Sequence, residues 1–561
     1  MQRQAPGRPG LQKRGLRREI GFIGLLWASG GSIIGSGWLF GAQGALATAG
    51  PAAVISWCIG AVAIFLLALT HAELGGMYPV SGGTARFPHY AFGGAAGASF
   101  GWFSWLQAAT VAPIEVLAMI QYGQHYSFAS GWMKLSHGQN VLTGPGIVAA
   151  VVLMAVFTSI NFLGVRKLAH TNSAATWWKI GVPLLTIFVL AIVNFHGSNF
   201  TAADGFNPDG AKGVLAAVST SGIIFALLGF EQADQLAGES ANPKRDIPRA
   251  VIMSVIIGAI IYIALQVVFL GALPASQIHG TWAHAAYTEL SGPFAQLASL
   301  VSVGWLATIL YVDAVISPGG TGLIYTTSTS RVSYGLSRNG YAPTAYEATN
   351  RRAVPWFGLV TAFVVGCIAF LPFPSWQSLV GLITSASVLM YAGAPLAFGV
   401  FRRRLPDADR PYRAPAGRVL APVAFIVANL LILWAGWTTD WKLGIAILIG
   451  YVVLGGTRLL HLNPTAPQLD LRAAQWLPVY LVGMGAIVYL SDFGPLKHPW
   501  FPLWWDILVV AVFSLAIFYW AMAVALPADK IDQMIGEVVL PEEEGVAGAM
   551  PAADEPLARG Q

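Results

Sequence analysis

The sequence predicts an all-α polytopic membrane protein, and three observations carry that reading. Of 561 residues, 55% are hydrophobic and only 10% are charged, against about 25% charged in a typical soluble domain. Apolar stretches of roughly 20 residues recur along the whole length, the length a helix needs to cross a hydrocarbon core about 30 Å thick. Ten-residue segments of alternating polarity, the mark of an outer-membrane barrel, do not occur. The net charge of +5 is small, its placement matters more than its sum, and no nucleic-acid partner is expected.

Apolar runs between charged or Pro/Gly-rich breaks number about fourteen. They centre on residues 21–48, 51–75, 96–125, 146–163, 172–194, 213–238, 249–272, 295–330, 355–373, 377–401, 418–437, 441–460, 476–491 and 502–526. The third and eighth exceed what one bilayer needs and are expected to tilt or to run on into solvent. Basic residues test the count. With a cytoplasmic N-terminus, the inner segments hold Arg3, Arg8, Lys13, Arg14, Arg17, Arg18, Arg86, Arg166, Lys167, Lys244, Arg245 and Arg249. They also hold Arg331, Arg338, Arg351, Arg352, the cluster from Arg402 to Arg418, Arg458, Arg472, Lys530 and Arg559. Only Lys134, Lys212, Lys442 and Lys497 fall outside, and Lys179 lies within a span. Losing one span would reverse every later side, so this asymmetry predicts both termini in the cytoplasm.

Several motifs carry little. Cys58 and Cys367 lie in apolar spans as small hydrophobes, with no disulfide or metal framework. Arg17-Arg18 precedes a long span and sets topology rather than export. The Asn199-Phe200-Thr201 sequon is given no weight in a chain whose Ala/Gly/Arg-rich composition looks bacterial. The tail after Pro527, with Glu542-Glu543-Glu544 and Asp554-Glu555, reads as a disordered end.

The first span carries Gly30-Gly31-Ser32-Ile33-Ile34-Gly35-Ser36-Gly37 at its centre, a density of helix-weakening residues. In lipid, unwound backbone is tolerated only where it lines a cavity or is buried in protein. The sixth span has a second weak point at Phe225-Ala226-Leu227-Leu228-Gly229-Phe230-Glu231, including an acid within the membrane. Five spans separate their starts and the two run in opposite directions. That parity predicts two five-helix units inserted upside down relative to each other, with a ligand held at the midplane between half-helix ends. Freed amides from Ile33 to Gly37, at the positive end of a half-helix, suit a carboxylate. Freed carbonyls around Ile33, Phe225 and Leu228 suit an ammonium group. Together they suit the zwitterionic end of an amino acid, with Phe225 as the expected gate.

Lys179, in Trp177-Trp178-Lys179-Ile180-Gly181-Val182-Pro183, is the one basic residue inside a span. Holding its charge at mid-helix costs about 2.5–3.5 kcal/mol on insertion scales, which makes it a natural proton carrier; a structural lysine tied to helix carbonyls is the competing reading. Glu115 and Asp313 are acids within spans, and each is a candidate to pair with Lys179, bind a substrate amine or carry a proton. Hydroxyls of Ser317-Pro318-Gly319-Gly320-Thr321 are candidates to line a cation or ammonium site. His71, Glu73 and His89 fall near the inner face and are expected to be solvated or gating.

Several stretches resemble the amino acid–polyamine–organocation superfamily. They are Gly31 to Phe40; Ala72-Glu73-Leu74 with Pro79 and Gly82-Gly83; Gly229-Phe230-Glu231; Gly238-Glu239 to Asn242-Pro243; Ile247-Pro248-Arg249-Ala250; Ser330-Arg331 to Asn339-Gly340; and Arg410 to Pro415. The matches run in order from residue 21 to about 420. The resemblance implies a five-plus-five inverted-repeat transporter core with about four additional C-terminal helices. Its expected parts are a basic N-terminus (1–20), the repeats 21–194 and 195–404, accessory helices 405–526 and an acidic tail 527–561. Pro113-Ile114-Glu115, and Asp313-Ala314 with Ser317-Pro318 and Gly320-Thr321-Gly322, look most like proton-coupled aspartate symporters. By the same carry-over Lys179 matches the fifth-span lysine that stands in place of a bound sodium ion. Ile33, Gly35, Ser36, Gly37, Phe225 and Leu228 would meet the substrate backbone.

The expectation is therefore an inner-membrane importer of an amino acid, acidic by resemblance, with protons as the coupling ion and neither cofactor nor metal. Glu115 and Asp313 would repel an acidic substrate unless protonated, so a neutral or cationic permease or exchanger is the alternative. A non-transporting sensor would share the same site. Enzymes are disfavoured because no activated nucleophile or H-E-x-x-H motif is present. Oligomeric state is not legible.

Overall fold

The break expected in the first span is there: helix α1 (Phe22–Ile33) stops, and α2 (Gly37–Ala49) starts after three intervening residues. These elements belong to a computed structural model that describes residues 20–80, 83–136, 139–163, 165–352, 354–465 and 467–536, with only the backbone of 83 and 165–174. The basic N-terminus, Gly82, the side chains of Arg166 and Lys167, and the acidic tail from residue 537 lie outside the described residues.

After a 3-10 turn the chain continues as α3 (Ala53–Met77), α4 (Gly83–Phe92), α5 (Gly94–Gly123), α6 (Gly144–Phe162) and α7 (Val165–Val193). The sixth span is in pieces: α8 (Gly210–Thr220), α9 (Ile223–Leu227) and α10 (Gln232–Gln235). Then come α11 (Pro243–Ala272), α12 (Pro293–Leu300), α13 (Gly304–Arg338), α14 (Trp356–Ala369), α15 (Trp376–Tyr391) and α16 (Gly393–Arg404). Four more follow: α17 (Gly417–Ala435), α18 (Trp437–Leu459), α19 (Trp476–Leu490) and α20 (Trp505–Val524). Each of the fourteen expected spans has a helical counterpart, and ten helical stretches among the described residues are long and apolar enough to cross a membrane.

Packing follows the order expected of inverted halves. Span two (α3) lies along span seven (α11), span three (α5) along span eight (α13), and span four (α6) along span nine (α14). The broken spans meet as well, α1 on α10 and α2 on α9. α17 to α20 gather beside α15 and α16. Several ionisable groups sit inside a largely apolar interior, and apolar side chains also cover the outside. Glu115, Lys179, Glu231, Asp234 and Asp313 are buried, while Val148, Val152, Phe188, Ile192, Ile260, Val452 and Val482 face outward. A hydrocarbon surround explains the apolar exterior.

The structure corrects several expectations. The eighth span does not run unbroken over 295–330: α12 ends at Leu300, and Ser302, at φ 66°, turns the chain before α13 begins. His71 and Glu73 are not solvated but buried within the fold, and His89 is half-buried. Cys58 is exposed on the surface of α3 rather than buried in protein. A short antiparallel hairpin, β1 (Met133–Ser136) with β2 (Gln139–Leu142), and the connecting helix α4 were not foreseen. Asn199 of the sequon is buried, its amide donating to the carbonyls of Leu270, Gly271 and Leu273.

Candidate functional site

The two broken spans touch backbone to backbone, and glycine makes this possible. A Cβ on Gly37 would lie 2.7 Å from Ala226, and one on Gly229 would lie 2.8 Å from Ile33 N. Gly229 also holds φ at +117°, which side chains rarely adopt. Leu228, at φ −73° and ψ 155°, carries the chain out of the helix between α9 and Gly229.

Between the broken segments lies a cavity of about 10 Å³, lined by Ser32, Ile33, Gly35, Gly37, Val111, Glu115, Phe225, Leu228, Thr321 and Tyr325. That is room for one water, where a ligand pocket commonly holds about 300 Å³ or more. The site is closed. On one side the Phe225 ring meets Trp376 edge-on at 5.8 Å, and Trp376 also packs on Phe40 at 4.9 Å. Its indole nitrogen donates to Ser36 Oγ at 2.9 Å. On the other side Glu231 gathers Tyr325 Oη at 3.0 Å, Tyr391 Oη at 2.5 Å, Gln107 Nε2 at 3.3 Å and the Gly229 amide at 2.9 Å. Deeper on that side, buried Glu73 accepts two bonds from Arg402 at 2.9 and 2.5 Å. Arg410 lies 3.3 Å away, and the Ala414 amide donates to the same carboxylate at 2.7 Å.

The amides at the break are not all free, which corrects the expectation for Ile33 to Gly37. Ile34 N donates to Gly30 O at 3.0 Å and Gly35 N to Ile33 O at 3.1 Å. Ser36 N donates to a carboxylate already in the protein, Glu115 Oε2, at 2.8 Å. Glu115 reaches it across the bare Cα of Gly35, where an added Cβ would lie 2.5 Å from Oε1. Nor is the Ile33 carbonyl vacant, for it accepts the Tyr262 hydroxyl at 2.8 Å. An interrupted helix offers its spare groups to any partner that fits, and a folded protein supplies its own first.

Among the predicted residues, the structure brings Ile33, Gly35, Gly37, Phe225, Leu228 and Glu115 to the cavity, with Ser36 directly behind it. Lys179 is one contact further out. Its Nζ donates to Gly31 O and to Thr321 Oγ1, each at 2.8 Å, and makes no hydrogen bond to Glu115 or Asp313. Asp313 stands apart from the cavity, accepting from Trp178 Nε1 at 2.9 Å and Ser317 Oγ at 2.6 Å. Sequence reasoning missed Val111, Tyr325, Tyr262 and Trp376. Only the Gly/Ser run containing Ser32 and the Ser-Pro-Gly-Gly-Thr run ending at Thr321 signalled those two. Among the described residues no group of three or more His, Cys, Asp or Glu side chains is placed to hold a metal ion.

The amino acid permease family model matches residues 20–455 of the chain. The chain is 37% identical over 521 residues to the glutamate/serine transporter AimA of Bacillus subtilis, covering 90% of this chain and 94% of the relative. It is 33% identical over 529 residues to the aspartate-proton symporter of the same organism, covering 93% and 99%. A more distant match, at 27% over 458 residues, is the branched-chain amino acid permease BcaP, with 79% and 93% covered. The pair of broken helices, the closed cavity between them and these long alignments lead to one conclusion: the chain belongs to the amino acid permease family of membrane transporters.

Proposed function

We propose that this protein imports an acidic amino acid by proton symport with alternating access across a bacterial inner membrane. The observation that carries the reading is the 2.8 Å bond from the Ser36 amide to Glu115. A substrate α-carboxylate needs the amides at the start of α2, and while ionised Glu115 holds the Ser36 amide the two anions compete for it. Protonating Glu115 removes that competitor, so proton binding favours substrate binding, which is what symport requires. The α-carboxylate then meets Ser36 and Gly37, the ammonium group meets the carbonyls at Phe225 and Leu228, and Phe225 moves with Trp376 as the gate. Lys179 tethers the α1 end to α13 through Gly31 and Thr321 and is the natural carrier to exchange a proton with Glu115. Asp313 acts behind it through Trp178.

The acidic substrate is supported by two relatives whose names include glutamate or aspartate, one of them a proton symporter. Serine in the first name favours a second reading, a small hydroxyl amino acid, for which the hydroxyls of Ser32, Thr321 and Tyr325 at the cavity offer partners. We assign residues 21–194 and 195–404 to the two repeats and 405–526 to accessory helices, with the Arg402 side facing the cytoplasm as the positive charges indicate.

Proteoliposome uptake of labelled aspartate, glutamate and serine, with and without an inward proton gradient, tests both readings. Glu115→Gln keeps an acceptor for Ser36 but cannot titrate. It is expected to exchange substrate yet lose accumulation driven by the proton gradient. Gradient-driven accumulation at the wild-type level in that variant overturns the coupling scheme.

A further inference from the structure

We propose that Asp234 is a second proton-binding site on the cytoplasmic half of span six, which holds its proton while that half is closed and gives it up to the cytoplasm when it opens. This rests on the proton-symport reading. Asp234 follows Glu231 by three residues, so the two acids share one face a turn apart. Both are fully buried. Their surroundings differ sharply. Glu231 has donors from Tyr325, Tyr391, Gln107 and Gly229, whereas neither carboxyl oxygen of Asp234 has a hydrogen-bond partner among the described residues.

A buried carboxylate without donors costs several kcal/mol even after relaxation, and a neighbouring acid raises that cost. The charge the protein prepares for is therefore on Glu231, and Asp234 holds its proton in this conformation. The carboxyl lies tight against Gly75 of α3, where any Cβ would overlap it, and that contact seals it from water. Among the elements packed on α10, α3 brings His71 and Glu73, and α4 brings Arg86, His89 and Tyr90. α11 brings Lys244, Arg245, Asp246, Arg249 and Tyr262, the 3-10 turn Ala237–Glu239 brings Glu239, and α1 brings no ionisable group.

Release follows from position. Glu73, two residues before Gly75, anchors Arg402 and Arg410. Parting that cluster to open the cytoplasmic side lifts α3 from Asp234 and admits water. The O–H bond of the acid then breaks, the proton passes to that water, and a hydrated carboxylate remains. Tyr325 ties the step to substrate, because it lines the cavity and donates to Glu231 on the same segment.

The test compares wild type and Asp234→Asn in liposomes, reading the proton-to-substrate ratio from the reversal potential with labelled L-glutamate and L-aspartate. The expected result is a ratio lower by one proton in the variant. A wild type without proton coupling overturns the symport reading; a coupled wild type whose ratio D234N leaves unchanged overturns only the assignment of Asp234. Infrared spectra of protein labelled with carboxyl-13C aspartate read the protonation directly. The labelled protonated-carboxyl absorption at neutral pH is expected to lose one residue's intensity in D234N, and equally in Asp234→Glu, which keeps an acid if the amide variant fails to fold. Unchanged intensity overturns the proposal.

Discussion

The ammonium nitrogen of Lys179 lies 2.8 Å from the carbonyl oxygen of Gly31, in the last turn of α1, and 2.8 Å from the Thr321 hydroxyl of α13. Carbonyls at a helix end have no partner within the helix and favour a cation. One buried side chain therefore joins three helices at the point where the first span comes apart.

Lys179→Ala is expected to abolish pH-driven uptake, because it removes the buried amine that bonds both Gly31 and Thr321 and leaves only the longer direct bond from Thr321 Oγ1 to Gly31 O at 3.3 Å, which carries no titrating group. Bonds to a charged group contribute about 1.5–3 kcal/mol each, so a lower melting temperature in detergent should accompany the loss. Proton-coupled accumulation retained in this variant would remove Lys179 from the mechanism.

Gly229→Ala adds a Cβ 2.8 Å from Ile33 N at a backbone φ of +117°. Strain of about 1–3 kcal/mol from the backbone alone, with the overlap added, should sharply reduce folded yield on size exclusion. Gly485→Ala, whose Cβ meets nothing within 4 Å, serves as the control and should leave yield unchanged.

Arg402→Met leaves buried Glu73 with the Arg410 contact at 3.3 Å and the Ala414 amide. Breaking a buried ion pair costs about 3–5 kcal/mol when the partner charge is stranded, and Arg410 should hold the loss below that. Adding Glu73→Gln removes the stranded charge, so the double variant should melt higher than Arg402→Met alone. Additive losses would show that the pair is not coupled.

His89 lies in the connecting helix α4, outside the spans, with Nδ1 2.7 Å from the Tyr341 hydroxyl. Burial, aided by the nearby Arg86 charge, pushes its imidazole pKa down to about 4. The folded protein thus holds His89 neutral, while the unfolded chain binds a proton below about pH 6.5. Its stability contribution is complete above pH 6.5 and falls away as pH drops toward 4, by up to about 3 kcal/mol. Melting temperature followed from pH 7.5 to 4.5 should fall less steeply in His89→Gln than in wild type; parallel curves would contradict the assignment.

Much of the fold was legible because lipid imposes one rule on every span. A backbone with no water to bond to must be helical, so apolar length alone located all fourteen segments and the exceptions stood out as glycine and serine. The same rule marked Lys179, Glu115 and Asp313 as costly. It did not reveal their partners. Trp376 reads as an ordinary start of a span, yet its indole nitrogen reaches Ser36, 340 residues away. Asp234 falls inside the expected sixth span but belongs to no motif that singled it out, and only the structure shows the close approach of α3 at Gly75 that covers it.

Local spacing determined where the apolar helices lie, where the first and sixth spans break and which connecting segments carry the positive charge, since each depends on neighbours in sequence and on the solvent around them. Which groups fill the opened backbone was decided only by folding. Glu115 on the Ser36 amide, Tyr262 on the Ile33 carbonyl and three side-chain donors on Glu231 come from distant helices. Hydrogen bonds reach about 3 Å, and nothing in a one-dimensional string states which helices come that close.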